Sequence, residues 1–177
     1  VSLSADGTKV AIGAYNNDGG PSSNAGHVRI YKYTPSGTAS WTQLGADING
    51  EAASDNSGWS VSLSSDGTKV AIGANSNDGT ASAAGHVRIY NYTPSGTASW
   101  TQLGADIDGE ASNDYSGYSV SLSADGTKVA IGANGNDGPG NDSGHVRIYT
   151  LGGYSYAWDV DGGGTPSNGT YYATVAG

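Results

Sequence analysis

The ten residues from Val1 to Val10, Val-Ser-Leu-Ser-Ala-Asp-Gly-Thr-Lys-Val, recur almost letter for letter from Val61 and again from Val120. The same landmarks follow each copy in order. They are Val-Ala-Ile-Gly-Ala (from Val10, Val70 and Val129), Asn-Asp-Gly (from Asn17, Asn77 and Asn136) and Gly-His-Val-Arg-Ile-Tyr (from Gly26, Gly85 and Gly144). A period of about 60 residues therefore defines one structural unit, and units repeated in this way bury their faces against one another. The units divide as 1–60, 61–119 and 120–161, with 162–177 as a C-terminal turn and strand. A residue that occurs once per unit holds that unit together. No unrepeated constellation marks a single reactive centre, so no catalytic residue is assigned and no enzymatic activity is expected.

Within the second unit, Trp59, Val61 and Leu63 alternate with Ser60, Ser62 and Ser64, the two-residue period of a strand with one bulky and one small face. Asp66-Gly67 supplies a tight turn into a second strand over 69–74. His86 to Tyr92 alternates again as a third strand, with Val87 and Ile89 opposite Arg88, Tyr90 and Tyr92. After Thr93-Pro94-Ser95-Gly96, Trp100 to Ile107 forms the fourth, and an acidic loop over 108–117 leads into the next unit. Thirty glycines scattered among Ser, Thr, Asn and Asp fit many turns and exclude long helices. Four antiparallel strands every 60 residues or so are what a propeller blade needs. The expected fold is all-β, a β-propeller-like array of about three four-stranded antiparallel blades. Tandem sandwich modules are the alternative, but the period is short for seven strands.

The formal charge of −9, with only seven Lys and Arg, excludes a phosphate-binding surface and hence nucleic acid as partner. No run approaches the roughly 18 apolar residues that span a bilayer, so no membrane insertion is expected. Absence of Cys removes disulfides and thiolate metal sites. The chain starts at Val1 without a charged-then-apolar leader, which fits a processed secreted protein or an excerpt of a longer one.

Three segments resemble the FG-GAP repeats of integrin-alpha-like propellers, in the variant found on secreted and bacterial surface proteins. Gly117-Tyr118-Ser119-Val120-Ser121-Leu122-Ser123 resembles the aromatic-then-small strand of that family. Val129-Ala130-Ile131-Gly132-Ala133 is similar to its Gly-Ala strand, and Gly144-His145-Val146-Arg147-Ile148-Tyr149 to its Gly-x-Val-x-Val-Tyr strand. The resemblance covers roughly residues 1–150 and implies a propeller with an extracellular adhesive or ligand-display role. It also implies a calcium loop in the first hairpin, but Ser4-Ala5-Asp6-Gly7-Thr8 offers a single carboxylate where six to eight oxygen ligands are needed.

The better metal candidate is the acidic linker, where Asp106, Asp108, Glu110 and Asp114 match Asp47, Asn49, Glu51 and Asp55 one unit earlier. Alternating oxygens in a glycine-containing loop suit Ca²⁺, and a solvated acidic turn has the same sequence. The Asn-Asp-Gly segments read as turn formers. His27, His86 and His145 occupy one equivalent position and read as structural. Arg29, Arg88 and Arg147 are expected to pair with the hairpin aspartates Asp6, Asp66 or Asp125. Twelve Tyr and four Trp with no Phe favour rings carrying a polar handle. Tyr31 and Tyr33, with Tyr90 and Tyr92, are accordingly the candidate sugar-binding surface, unless they serve blade packing.

Closed propellers use four to eight blades, and about three are present. An excerpt, a ring completed by several chains, and an open array that pairs through its edges all satisfy this count. The expected function is that of an extracellular, cell-surface structural or adhesive repeat protein. It would present repeated loops and strand edges and self-assemble into a ring or filament, with itself, other surface proteins or glycans as partners. A lectin-like propeller module is the alternative. In the tail, 154–161 reads as an altered fourth strand, and 170–175 as a last strand standing where the next unit's first strand would be or opening an immunoglobulin-like module.

Overall fold

The computed structural model describes residues 1–18, 22–94, 99–138, 140–151 and 173–174. Three antiparallel sheets follow one another along the chain, and no helix occurs among the described residues. The first holds β1 (Ser2–Leu3), β2 (Lys9–Ala14), β3 (His27–Thr34), β4 (Ser40–Gln43) and β5 (Ile48–Asn49). The second repeats it with β6 (Ser60–Leu63), β7 (Lys69–Ala74), β8 (His86–Thr93), β9 (Ser99–Gln102) and β10 (Ile107–Asp108). The third contains β11 (Ser116–Leu122), β12 (Lys128–Ala133), β13 (His145–Thr150) and β14 (Ala173–Thr174). Order within a sheet is sequential, so the all-β array of about three antiparallel blades is the fold of the chain.

Local chemistry explains each hairpin. Asp6 Oδ1 accepts from the Thr8 amide at 2.9 Å and from Ser4 Oγ at 2.6 Å, while Gly7 takes a φ of +69° between them. Asp66 and Asp125 repeat this arrangement. The hairpin aspartates are therefore consumed by their own turns, and the expected pairing with arginine does not occur there.

The fourth strand is two pieces rather than the single one expected over 100–107. After the Leu103 amide donates to Ile89 O at 2.7 Å, Gly104 turns the chain with a φ of +79°. β9 thus pairs the C-terminal part of β8 (Tyr92↔Trp100), and β10 pairs its start (Ile107↔Val87). In the third sheet β14 occupies this outer position, with Arg147↔Thr174 and Ile148↔Ala173, and not the first-strand place expected of a next unit. The expected altered strand at 154–161 lies outside the described residues.

The core lies between sheets. Ala11, Val28, Ile30 and Ile48 of the first pack on Leu63, Val70 and Ile72 of the second. Ala71, Val87 and Ile89 of the second pack on Val129, Ile131 and Tyr149 of the third. The two strand faces explain the serines: one blade's serine face meets the next blade's bulky face. Ser2 Oγ accepts the Leu63 amide and Ser62 Oγ the Leu122 amide, each at 2.9 Å, so the polar side chains on this buried face are matched to backbone donors.

Candidate functional site: the junctions between blades

The second blade's Arg88 projects from β8 toward the first blade. Its Nε and Nη2 donate to both oxygens of Asp106 at 2.9 and 2.8 Å, a bidentate fork, and Nη2 also meets Glu51 of the preceding unit's linker. Gln102 Nε2 completes the set on Asp106 Oδ1 at 2.6 Å, and the nearly buried His86 places Nδ1 3.6 Å from Asp106 Oδ2. The first blade repeats the fork between Arg29 and Asp47, again with Gln43. At the second junction Arg147 meets Glu110. Each arginine thus faces the linker strand rather than the hairpin turn, because Ile48 and Ile107 pair with Val28 and Val87 and so bring their neighbouring aspartates beside the arginines.

Electrostatics follow the geometry. The Arg29 fork is the main reason the Asp47 carboxyl lies at about 2, and Arg88 likewise lowers Asp106. Burial works against the charged form of Arg88, but the hydrogen bonds it donates to Asp106 and Glu51 overcome it and raise its pKa. Burial first, and Arg88 second, hold the His86 imidazole below its ordinary value despite Asp106. Burial lowers His27 and His145 in the same way.

For these histidines the unfolded chain binds more protons than the fold once pH drops below the ordinary histidine value of about 6.5. Their contribution to stability is complete above that value and declines as pH falls toward the lowered folded value. We expect His86→Gln to flatten part of that decline, read as Tm between about pH 8 and pH 5. An unchanged pH slope would mean that His86 takes its proton in the fold without penalty.

In neither linker do the carboxylates considered as calcium ligands gather at one point among the described residues. Asp47 and Asp106 serve the arginine forks, and Glu51 and Glu110 face the arginine of the following blade. Asp55 and Asp114, both buried, close their own turns by accepting the Ala52 and Ala111 amides at 2.9 and 3.0 Å. Asn49 and Asp108 stand exposed on β5 and β10. One His and carboxylate group of the kind that can hold a metal does exist: Glu51, His86 and Asp106 present donor atoms within 4.8 Å of one another. The Arg88 guanidinium contacts both of its carboxylates, and a hard cation such as Ca²⁺ wants six to eight oxygens. The set fits a guanidinium and does not fit calcium.

The tyrosines have cross-strand partners. Tyr33 lies on Trp41 with ring centroids 5.3 Å apart and Tyr92 on Trp100 at 5.2 Å, as their register requires. Tyr90 packs on the first junction's core, and Tyr31 is its counterpart on the first blade. Trp100 adds a junction contact that sequence reading missed, donating Nε1–H to Leu44 O of the first blade at 2.7 Å. An exposed aromatic row was also missed. Tyr15 follows β2, Trp59 precedes β6 and Tyr118 lies in β11, so the row runs along the three sheets, with centroids 4.8 and 5.7 Å apart. Trp59 and Tyr118 follow equivalent glycines and so signal themselves, whereas Tyr15 stands where the other units have Asn75 and Asn134.

A cleft of about 340 Å³ opens at the second junction, lined by residues 106–110 with Arg147 and Tyr149. Residues 105–149, which line this cleft and contain both members of the Glu110–Arg147 pair, match the family described as FG-GAP repeat. No curated protein matches the chain. Among solved structures, the chain is similar to the periplasmic gluconolactonase of Pseudomonas aeruginosa, at 18% identity and a TM-score of 0.47, over 84% of this chain and 38% of that one. That protein is an enzyme, and the expectation of no enzymatic activity is withdrawn on this finding; a likeness of that degree carries no reaction over to this chain. Residues 105–149 thus carry an FG-GAP repeat, and the two units before repeat its strands, its hairpins and its arginine within a propeller-like array of blades.

Proposed function

We propose that the chain is a structural, adhesive module of the cell surface or extracellular space, which self-assembles and displays the repeated loops of each unit. The observation that carries this reading is the repetition of exposed loops: residues 51–54 and 110–113 stand exposed at equivalent places of the two linkers. Identical contacts repeated along one chain hold a partner at an effective concentration that a single contact lacks. Light scattering with electron microscopy tests the reading. A mass well above the 17.7 kDa of one chain, rising with concentration, is expected; a monomer at every concentration overturns it. Chelation by EDTA is expected to leave both mass and Tm unchanged, because Arg88 already neutralises the clustered carboxylates.

The exposed row of Tyr15, Trp59 and Tyr118 favours a second reading, carbohydrate binding, at a different place from the four tyrosines first considered. Ring faces along such a row stack on sugars. Quenching or blue-shift of Trp59 fluorescence by a polysaccharide supports it, and a glycan array at background level ends it.

A further inference from the structure

We infer that the row of Tyr15, Trp59 and Tyr118 receives a cationic glycan, an extended chain of amino sugars whose amines are unacylated and protonated. This rests on the carbohydrate reading above and names its class of sugar.

Close approach of the blades builds the row. Gly13 lies against the backbone of Gly58, and Gly73 against that of Gly117, so tightly that neither Gly13 nor Gly73 has room for a Cβ. Trp59 directly follows Gly58, Tyr118 directly follows Gly117, and Tyr15 lies just beyond Gly13. The rings are thereby drawn to centroid separations of 4.8 and 5.7 Å, with planes inclined at 63° and 45°. Trp59 has a ring on each side and is still 37% exposed, so a ligand reaches it. Inclined planes do not form the flat platform on which an uncharged sugar stacks most fully. They suit a positive charge, because a ring face attracts a cation within about 6 Å of its centroid, and at these separations one cation comes within reach of two rings.

Charge is divided between the two ends of the sheets in the sense this requires. The lysines lie at the hairpin end: Lys9, Lys69 and Lys128 open β2, β7 and β12, and Lys32 pairs with Lys9. There they offset the turn aspartates Asp6, Asp66 and Asp125. The row stands at the opposite end, where β2 has run out to Tyr15 and the linkers return to Trp59 and Tyr118. The loops after β2, β7 and β12 place Asp18, Asp78 and Asp137 at this end, all exposed, and the exposed Asp108 lies against the Gly79 turn. None of these aspartates makes an ion pair among the described residues, and the arginines Arg29, Arg88 and Arg147 are already engaged by Asp47, Asp106, Glu51 and Glu110. The resulting negative field repels sulfated and uronic-acid glycans and draws in ammonium groups.

A row of rings along successive blades also matches a ligand that repeats. Each unit of an amino-sugar chain offers a rigid ring with an apolar CH face and one cation. A basic peptide carries its charge on long side chains that lose rotamer freedom on binding.

Calorimetric titration of the whole chain with short oligomers tests the inference. The probes are β-linked glucosamine, its N-acetylated counterpart, an uncharged glucose oligomer and oligolysine of equal charge. The glucosamine oligomer is expected to bind at least about tenfold more tightly than the other three, and less tightly as salt rises. Trp59→Ala is expected to lose that factor and Trp59→Phe to keep most of it; Tyr118→Ala serves where Trp59→Ala does not retain wild-type circular dichroism. Joint Asp18→Asn, Asp78→Asn and Asp137→Asn is expected to weaken binding in the same way without unfolding. In each loop the Oδ1 that asparagine retains is the acceptor, for the Asn24, Ala83 and Asp142 amides at 2.7, 2.7 and 2.8 Å. Equal, Trp59-dependent binding of the uncharged or N-acetylated oligomer overturns this inference and leaves the carbohydrate reading standing. Glucosamine binding that survives loss of the ring, or that oligolysine matches, reduces the site to an acidic surface and also overturns it. Absence of binding by every sugar oligomer overturns the inference and the carbohydrate reading together.

Discussion

Replacing Arg88 with alanine is expected to cost about 2–4 kcal/mol of stability, and the same change at Arg29 less than about 1 kcal/mol. The two residues have the same sequence neighbours and the same fork to an aspartate, so composition cannot separate them. Burial does. The Arg88 side chain is 10% exposed, that of Arg29 43%. Removing the Arg88 guanidinium leaves Asp106 and Glu51 facing each other across the junction beside a neutral His86, with the cation that held them gone. A half-buried carboxylate pair without its cation loses both the Coulomb term and the charge-assisted hydrogen bonds. At Arg29 water replaces most of what is lost. In a chain of this size a loss of about 3 kcal/mol lowers Tm by roughly 6–12 °C. Equal shifts for the two variants would mean that Glu51 contributes nothing across the junction. Glu51→Gln in the Arg88→Ala background supplies the cycle that isolates the pair.

The same comparison of positions shows what could be read from the sequence. Strand alternation around Ser60–Leu63 and the Asp-Gly turns were legible because they depend on residues two to six apart. The fold class followed from their repetition. The arginine partners were not legible in this way. Asp6, Asp66 and Asp125 are close in sequence and look available, but a turn with a hydroxyl on either side of the aspartate consumes its oxygens locally. Asp47 and Asp106 instead reach the arginines through the break at Gly45 and Gly104, which brings β5 and β10 back onto β3 and β8. A signal did exist. Arg, the linker Asp and the linker Glu share one period, as three members of one contact must. The linker carboxylates met the same limit, since a loop with alternating carboxylates reads identically whether its charges meet an ion or the next blade's arginine.

Gly73→Ala is expected to cost about 3 kcal/mol or more, while Gly132→Ala, at the equivalent place one blade on, is expected to change stability by less than about 1 kcal/mol. A Cβ on Gly73 would stand 2.2 Å from Gly117 O and 2.4 Å from Ser60 Oγ. Neither neighbour can yield. Gly117 O accepts Ser60 Oγ at 2.7 Å, and Gly117 itself, at a φ of +85°, is packed so that a Cβ there would meet His86 O at 2.5 Å. The methyl group can be accommodated only by separating the second and third blades, which opens the core around Ala71, Val87 and Val129. On Gly132 the added Cβ closely meets, among the described residues, its own sheet's Ser119 Oγ at 2.4 Å, a hydroxyl that can rotate away, with the next atoms at 3.7 Å or beyond. The backbone entropy removed from the unfolded chain then offsets part of the crowding. Urea midpoints for the two variants, measured at a concentration where the chain is monomeric, decide the matter. A large loss at Gly73 alone means that glycine is required by the backbone of the next blade; equal losses would place the requirement in the sheet itself and remove close blade approach as the reason for a glycine there.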